Sequence, residues 1–256
     1  MLRRIHDKKP LIHHLTNTVT INDCANMTLA LGGSPVMAED LLEVEEMVGL
    51  ADAVVINTGT INPDMRKAQL LAGKTANRLG KPVILDPVGA GATTLRTDFM
   101  KQLMEEITFT VIKGNASEIK TLLGQAARTK GVDVAEGESL DLQSVHAFAS
   151  QTKQVIVVTG PVDFVTDGVR QRHLDVGTKR LGQVTGTGCM TASLIATFLG
   201  AGYDHFDAAV FGTYAMGKAG EAAGDRHGIG SFRTGLFDAV SLMTEESLPE
   251  VQMNEQ

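Results

Sequence analysis

The feature that most constrains the fold of this chain is the alternation of short β-branched runs with longer segments of helical period. Strands and helices are predicted in turn at 53–56, 64–79, 83–85, 95–104, 108–112, 115–123, 141–151 and 155–158. Strands and helices that alternate along a chain form βαβ units, which build a mostly parallel sheet. The chain is therefore predicted to have an α/β fold in three layers, with a mostly parallel central sheet flanked by helices.

The pattern changes after the strand at 155–158, whose uninterrupted apolar run predicts a position inside the sheet. Residues 163–166 and 169–174 flank Asp167-Gly168, a dipeptide that favours the type I′ turn of a β-hairpin. Three more helices are predicted, at 187–199, 206–223 and 232–242.

The helix at 206–223 carries small residues at helical spacing, among them Gly212, Gly217 and Gly220. A helix face without bulky side chains lets another backbone approach closely. This helix is therefore either packed tightly within its own chain, which is the favoured interpretation, or part of a subunit interface.

Length and composition restrict the class of protein. The 256 residues suit one domain, predicted at 1–248, with a flexible tail at 249–256. A net charge of −7 offers no positive surface to nucleic acid. No apolar run approaches the ~20 residues that cross a bilayer, so we expect a cytoplasmic protein without a membrane partner. The cysteines, Cys24 and Cys189, lack companions at metal-site spacing, which argues against a disulfide or zinc site.

A glycine-rich turn at 183–190 runs directly into an apolar helix. Gly186 and Gly188 allow a close approach to backbone N–H groups at the helix N-terminus, where the helix dipole is positive. The segment is therefore either an anion cradle for a transferring phosphoryl group or a structural turn with a threonine N-cap.

Polar residues also stand at the ends of predicted strands. Asp86 precedes a glycine-rich loop, Lys113 and Glu118 surround a helix start at Asn115, and Thr159 ends an apolar strand. The carboxyl ends of parallel strands meet at one sheet edge, where ligands bind. Two carboxylates, a lysine and an anion cradle are the parts needed for Mg²⁺-assisted phosphoryl transfer. The spacing of Asn115 and Glu118 also fits a simple capping box, and that alternative stays open.

Two other segments imitate functional motifs. Residues 68–75 resemble a phosphate-binding Walker A loop, but the first glycine is replaced by Ala68 and the segment lies within a predicted helix. His13 and His14 have no partners at metal-ligand spacing, so they are interpreted as core or hydrogen-bonding groups.

Several motifs together resemble the hydroxyethylthiazole kinases of thiamine salvage, which belong to the ribokinase-like superfamily. The resemblance covers nearly the whole chain, and its most specific strings are Asp-Pro-Val-Gly-Ala-Gly-Ala-Thr and Gly-Asn-Ala-Ser-Glu. The matching segments are 14–17, 33–37, 57–60, 86–93, 114–118, 185–189 and 230–232.

This resemblance implies an ATP-dependent kinase that phosphorylates the primary alcohol of hydroxyethylthiazole. Asp86 and Glu118 are implied to organise Mg²⁺ and the phosphates, while Lys113, Asn115 and Thr159 contact ATP. The backbone of the catalytic turn formed by Gly186, Thr187, Gly188 and Cys189 is implied to hold the γ-phosphoryl group.

For the acceptor, the resemblance implies a thiazole pocket lined by Met37, Gly186 and Asn17. It also implies a homotrimer with active sites at subunit boundaries. Residues 17–26 would then serve the site of a neighbouring subunit.

The chain departs from relatives at Lys113, where many carry Arg, and a lysine loses the planar fork but keeps the charge. Like the family, it has Cys189 where sugar kinases of the superfamily place Asp. A thiol at a helix N-terminus is expected to have a lowered pKa, and we interpret Cys189 first as a positioning group and second as a base. The alternatives are a kinase of another small alcohol, either hydroxymethylpyrimidine or a sugar, and a non-catalytic nucleotide-binding regulator.

Overall fold

The computed structural model describes residues 2–125, 140–224 and 228–248, and the tail predicted at 249–256 lies outside them. The strands are β1 (Leu11–Leu15), β2 (Ser34–Val36), β3 (Ala53–Asn57), β4 (Val83–Asp86), β5 (Val111–Asn115), β6 (Val155–Thr159), β7 (Asp163–Thr166) and β8 (Gln171–Leu174). The α-helices are α1 (Leu2–Lys8), α2 (Ile21–Leu31), α3 (Val44–Leu50), α4 (Pro63–Arg78), α5 (Thr94–Glu106), α6 (Ala116–Leu122), α7 (Leu142–Thr152), α8 (Thr187–Gly200), α9 (His205–Ala223) and α10 (Ile229–Ser241). Short 3₁₀ helices span Lys179–Gln183 and Glu245–Ser247.

These strands form one sheet in the order β2-β1-β3-β4-β5-β6-β7-β8. Strands β1 to β6 are parallel to one another, whereas β7 pairs antiparallel with both β6 and β8. The predicted α/β fold with a mostly parallel sheet is confirmed. Strand β6 lies inside the sheet between β5 and β7, as its apolar sequence indicates.

Helices cover both faces of the sheet. Alternate residues of β3 separate into two hydrophobic clusters, with Ala53 and Val55 in one and Val54 and Ile56 in the other. The first cluster includes side chains of α1, α2, α8, α9 and α10, and the second includes side chains of α3 to α7. Each large apolar side chain buried in these layers contributes about 1.5–3 kcal/mol. Among the described residues, no helix is both long enough and apolar enough to cross a membrane.

The elements before residue 53 are not predicted from the sequence. Strand β1 is hard to recognise because His13 and His14 interrupt its apolar run, although both are buried. His14 Nδ1 bonds to the carbonyl oxygen of Ile12 at 3.1 Å, and its Nε2 lies 3.1 Å from Ser193 Oγ. This agrees with the interpretation of His14 as a hydrogen-bonding core group. Strand β2 has three residues and contains Pro35, which is tolerated because β2 is an edge strand.

The strand predicted at 108–112 is displaced toward the carboxyl end and is observed as β5, Val111–Asn115. The residues before β5 form hydrogen bonds with side chains in addition to backbone bonds. Asn77 Oδ1 accepts from Thr108 N at 2.7 Å, and Thr110 Oγ1 accepts from Val83 N at 3.1 Å. Lys113 therefore lies within the strand, not after it.

The hairpin is present, but the predicted type I′ turn is wrong. Thr166 pairs with Gln171, so four residues connect β7 and β8. Gly168 has a positive φ of 82° and Asp167 does not, whereas a type I′ turn needs both. Asp167 Oδ1 accepts from Val169 N and Arg170 N at 2.9 and 2.6 Å, which stabilises the longer loop.

The segment that imitates a Walker A loop lies inside α4, Pro63–Arg78. Its Lys74 forms an ion pair with Glu106. The segment is thus a helix face and not a phosphate-binding loop.

The small residues of α9 are explained by packing within the chain. A Cβ at Gly212 would lie 2.5 Å from the backbone nitrogen of Ile195 in α8, and one at Gly217 would lie 2.7 Å from the carbonyl oxygen of Val176. These approaches support the favoured interpretation of a tightly packed helix.

We expect Gly212→Ala to lower the free energy of unfolding by about 1–3 kcal/mol, because the added methyl group meets the backbone of Ile195, which cannot rotate away. Gly49→Ala is the control, since a Cβ at this helical position meets nothing within 4 Å. Urea unfolding measures both variants. Equal stabilities would contradict the close helix contact.

Candidate active site

The carboxyl ends of four neighbouring strands carry polar residues. Asn57 ends β3, and its register partner in β4 is Asp86. Asn115 ends β5, and its register partner in β6 is Thr159. Because these strands are parallel, the four residues lie along one sheet edge, the usual location of ligands in such sheets.

The glycine-rich turn enters α8 without a side-chain cap. Gly186 is the N-cap residue with a φ of 93°, and a Cβ there would lie 2.5 Å from Thr20 Cγ2. The Thr187 hydroxyl donates to Leu181 O at 3.1 Å and does not cap the helix. The predicted alternative of a threonine N-cap is therefore wrong. The N–H groups of the first turn keep their capacity to bind an anion.

Lys113 joins the strand ends to this turn. Its Nζ lies 3.0 Å from Asp86 Oδ1 and donates to Gly188 O at 3.0 Å. Burial lowers the pKa of Lys113, but nearby acidic groups, chiefly Asp86, raise it more, so its pKa lies above the ordinary lysine value. The positive charge of Lys113 thus lies between a buried carboxylate and the glycine-rich turn.

Glu118 connects β5, α6 and the loop after β4. The predicted capping box is present, with Asn115 Oδ1 accepting from Glu118 N at 3.0 Å and Glu118 Oε2 accepting from Asn115 N at 2.9 Å. Glu118 Oε1 also accepts from Gly89 N at 3.1 Å. Burial, together with the charge of Asp86, raises the pKa of Glu118. The carboxylate therefore does more than cap a helix, because it also fixes the glycine-rich loop.

Two asparagines link the sheet edge to Cys189. Asn57 Nδ2 donates to Asp86 Oδ2 at 2.6 Å and lies 3.2 Å from Cys189 Sγ. Asn17 Nδ2 donates to Asn57 Oδ1 at 3.0 Å and lies 3.4 Å from the same sulfur. Sequence reasoning gave Asn57 no role, although a polar residue ending a buried apolar strand was the same signal that identified Asp86.

The lowered pKa expected for Cys189 is wrong. Burial, reinforced by the charge of Asp86 and opposed by Lys113, raises the pKa of Cys189 to about 12. Desolvation of the thiolate thus outweighs the favourable effect of the helix N-terminus. The thiol stays protonated near neutral pH, which favours a positioning role over that of a base.

Met37 and Asn17 lie further along the same edge. Met37 follows β2, and the next residue is fixed because His13 Nε2 donates to Ala38 O at 2.6 Å. Strand β1 separates β2 from β3, so Asn17 stands between Met37 and Asn57. The structure brings Asn17 to Cys189 by direct contact, while Met37 lies farther from the strand ends of β3 and β4.

A cleft of about 620 Å³ opens beside the glycine-rich turn. Its walls come from the turn between β6 and β7, the segment 176–182, and the facing sides of α8 and α9. Thr159 and Gly188 line it, so the cleft is continuous with the sheet edge and the glycine-rich turn. Its volume lies in the range of small-ligand sites.

Comparisons with solved structures identify the fold. The structure of hydroxyethylthiazole kinase from Pyrococcus horikoshii OT3 superimposes with a TM-score of 0.82 and 40% identity, covering 96% of this chain and 93% of the other. A ribokinase-like superfamily protein from Enterococcus faecalis superimposes with a TM-score of 0.66 at 12% identity, covering 94% of each chain. The fold is ribokinase-like, as the sequence resemblance implies.

Sequence comparisons agree with the structural ones. The chain is 97% identical to a hydroxyethylthiazole kinase of Exiguobacterium sibiricum over 256 residues, which is 100% of both chains. It is 47% identical to a hydroxyethylthiazole kinase of Alkaliphilus oremlandii, covering 97% of this chain and 93% of the relative. The model of the hydroxyethylthiazole kinase family matches residues 2–246. The chain therefore belongs to the hydroxyethylthiazole kinase family.

Proposed function

We propose that this protein transfers the γ-phosphoryl group of ATP to the primary alcohol of 4-methyl-5-(2-hydroxyethyl)thiazole, within thiamine biosynthesis or salvage. The observation that carries the proposal is the placement of Lys113 between Asp86 and Gly188, at the uncapped N-terminus of α8. The alcohol oxygen forms a bond to phosphorus, the bond to the β-phosphate oxygen breaks, and the products are the thiazole monophosphate, ADP and a proton.

The donor side of the site is suited to a polyphosphate. The backbone of Gly186 to Cys189 holds the γ-phosphoryl group, and Lys113, Asn115 and Thr159 contact the phosphate chain. The adjoining cleft takes the remainder of the nucleotide, with Thr159 and Gly188 at the junction. Preorganised N–H donors and a buried cation stabilise the charge that spreads over the transferring group.

The carboxylates of Asp86 and Glu118 fit a Mg²⁺ ion. Asp86 Oδ1 pairs with Lys113 Nζ at 3.0 Å, and each oxygen of Glu118 accepts one hydrogen bond, so each of these three oxygens keeps a lone pair for a cation. Mg²⁺ commonly takes one or two carboxylates and completes its shell with water and phosphate oxygens. When bound, the ion would neutralise charge on the phosphates.

The acceptor side is formed by Met37, Asn17 and Gly186 in this proposal. Cys189 stands at the end of the turn with its sulfur held by two asparagine amides. A loose transition state needs little help from a base, so the thiol orients the alcohol and is not required to take its proton.

We expect Cys189→Ser to remain folded and to keep measurable turnover, because the backbone cradle does not depend on the sulfur. A hydroxyl also accepts the amide hydrogen bonds of Asn17 and Asn57. Steady-state kinetics with ATP and hydroxyethylthiazole measure the effect, and Cys24→Ser serves as the buried-thiol control. Complete inactivity of folded Cys189→Ser would show that the thiol is a base or nucleophile.

We further propose a cytoplasmic homotrimer in which residues 1–248 form one domain and residues 17–26 contribute to a neighbour's site. Two exposed apolar side chains support the interface, Val19 just before α2 and Leu29 on α2. Sedimentation equilibrium tests the trimer, and the mass of a monomer at the protein concentrations used in the activity assay would refute it.

Mass spectrometry tests the reaction and its rivals together. The protein is incubated with Mg²⁺ and ATP and, in separate tubes, hydroxyethylthiazole, hydroxymethylpyrimidine, ribose or no acceptor. We expect the thiazole monophosphate alone. A different phosphorylated acceptor would keep the kinase and overturn the substrate, whereas no product in single-turnover conditions would favour a nucleotide-binding regulator.

A further inference from the structure

We propose that Asn57 is a positioning residue of this active site, whose carboxamide orients the carboxylate of Asp86 and the sulfur of Cys189. The inference rests on the proposed kinase function, and it assigns to β3 a part in a site whose other sheet residues lie on or after β1, β2, β4, β5 and β6. Asn57 does not touch the transferring group in this proposal. It acts through the two groups that it holds.

All four hydrogen-bonding positions of the Asn57 carboxamide are used. Nδ2 donates to Asp86 Oδ2 at 2.6 Å and lies 3.2 Å from Cys189 Sγ. Oδ1 accepts from Asn17 Nδ2 at 3.0 Å and from Gly59 N at 2.9 Å. A carboxamide offers two donors and two acceptor lone pairs, so this side chain is fully committed.

The orientation of the carboxamide is fixed by its partners. Gly59 N can only donate, so the atom that faces it must be the oxygen of Asn57. The nitrogen must then face Asp86, a carboxylate that can only accept. The reversed amide would place an oxygen against the carboxylate and leave the Gly59 N–H without its acceptor. The contacts therefore select a single orientation.

The backbone of Asn57 is equally constrained. The residue is 2% exposed, and its carbonyl oxygen accepts from Gln69 Nε2 of α4 at 2.8 Å. It also pairs in register with Asp86. A side chain held at its base, its oxygen and its nitrogen has little freedom to turn, which suits it for orienting other groups.

As a consequence, the two carboxylate oxygens of Asp86 have different partners. Oδ2 is occupied by Asn57, so the carboxylate plane is set and Oδ1 faces Lys113 Nζ at 3.0 Å. Lys113 in turn donates to Gly188 O. Loss of the Asn57 donor would free the carboxylate to rotate, and the cation that depends on it would move with respect to the anion cradle.

Asn57→Asp tests this proposal because it keeps the shape and the acceptor oxygen but removes both donors. We expect kcat to fall about 10²-fold, the scale of a small misplacement in an active site, while KM for both substrates changes by less than about threefold. The matched control is Asn77→Asp in the last turn of α4, where Nδ2 donates to Thr108 O at 2.8 Å and Oδ1 accepts from Thr108 N at 2.7 Å. It should retain the wild-type kcat.

Asn57→Leu is the second variant, because it removes the donors without adding a charge beside Asp86. A readout independent of turnover is alkylation of Cys189 by iodoacetamide, followed by peptide mass spectrometry with buried Cys24 as the internal reference. We expect Cys189 to react severalfold faster than in the wild type and Cys24 to react at an unchanged rate. A structural role alone would speed both cysteines together.

Turnover of the wild type tests the proposed kinase function, whereas the alkylation rate of Cys189 in the variants, relative to the wild type, tests the positioning role of Asn57. A wild type that forms no thiazole phosphate refutes the proposed function, while faster alkylation of Cys189 in Asn57→Leu still supports the positioning of its sulfur. Both variants within about threefold of the wild-type kcat would overturn the inference, since positioning losses are far larger. Failure of both to fold, with Asn77→Asp folded, would assign Asn57 to the fold and overturn it as well.

Discussion

Replacing Asp86 with Asn is expected to lower kcat by about 10²–10³-fold while the protein stays folded. The substitution keeps the side-chain volume and removes the negative charge from a position that is fully buried. An amide can still accept from Asn57 through its oxygen, so the hydrogen bond to β3 survives. The amide of the variant neither neutralises Lys113 nor provides a carboxylate for Mg²⁺, so the balance of charges around the phosphates changes.

The measurement for Asp86→Asn is kcat as a function of Mg²⁺ concentration, with circular dichroism to establish folding. Asp98→Asn is the matched control, because Asp98 is exposed on α5, which follows the same glycine-rich loop. Asp98→Asn should have wild-type kinetics. Wild-type rates for Asp86→Asn at saturating Mg²⁺ would remove Asp86 from the proposed site.

The part of the fold that could be predicted from the sequence is the part governed by local pattern. The alternation from residue 53 onward contains strands such as β3 and β6 whose residues are almost all buried and apolar. Strand β1 was missed because its two histidines form buried hydrogen bonds that no local pattern reveals. The predicted type I′ turn is wrong because the Asp167 side chain stabilises a loop of four residues in place of a two-residue turn.

In the site, too, some features follow from the local sequence and others only from the assembled fold. The sequence predicts Asp86, Lys113 and Glu118 as site residues because they stand at or just after the carboxyl ends of parallel strands, where ligands bind. The position of Asn57 between Asp86 and Cys189 depends on the register of β3 with β4 and on the approach of α8, neither of which can be read locally. The pKa of Cys189 was predicted in the wrong direction because burial is a property of the assembled fold.

Replacing Lys113 with Met is expected to affect both catalysis and stability. Met is unbranched and apolar, so it fills most of the space but removes the charge. The cation is then missing from the anion cradle, and we expect kcat/KM for ATP to fall about 10²–10³-fold. The carboxylate of Asp86 is left buried and without its ion-pair partner, and removing one member of such a pair costs about 3–5 kcal/mol.

The double variant Lys113→Met with Asp86→Asn separates these two effects. It removes the unpaired charge, so part of the lost unfolding free energy should return, because a buried pair is more costly to break than to replace. Activity should not return, since both the cation and the carboxylate are absent. Lys113→Arg is the conservative control, which keeps the charge and should keep turnover. Urea unfolding and ATP kinetics on all four proteins decide the matter: a Lys113→Met variant with wild-type stability and wild-type kcat/KM would show that the buried lysine neither balances Asp86 nor meets the phosphates.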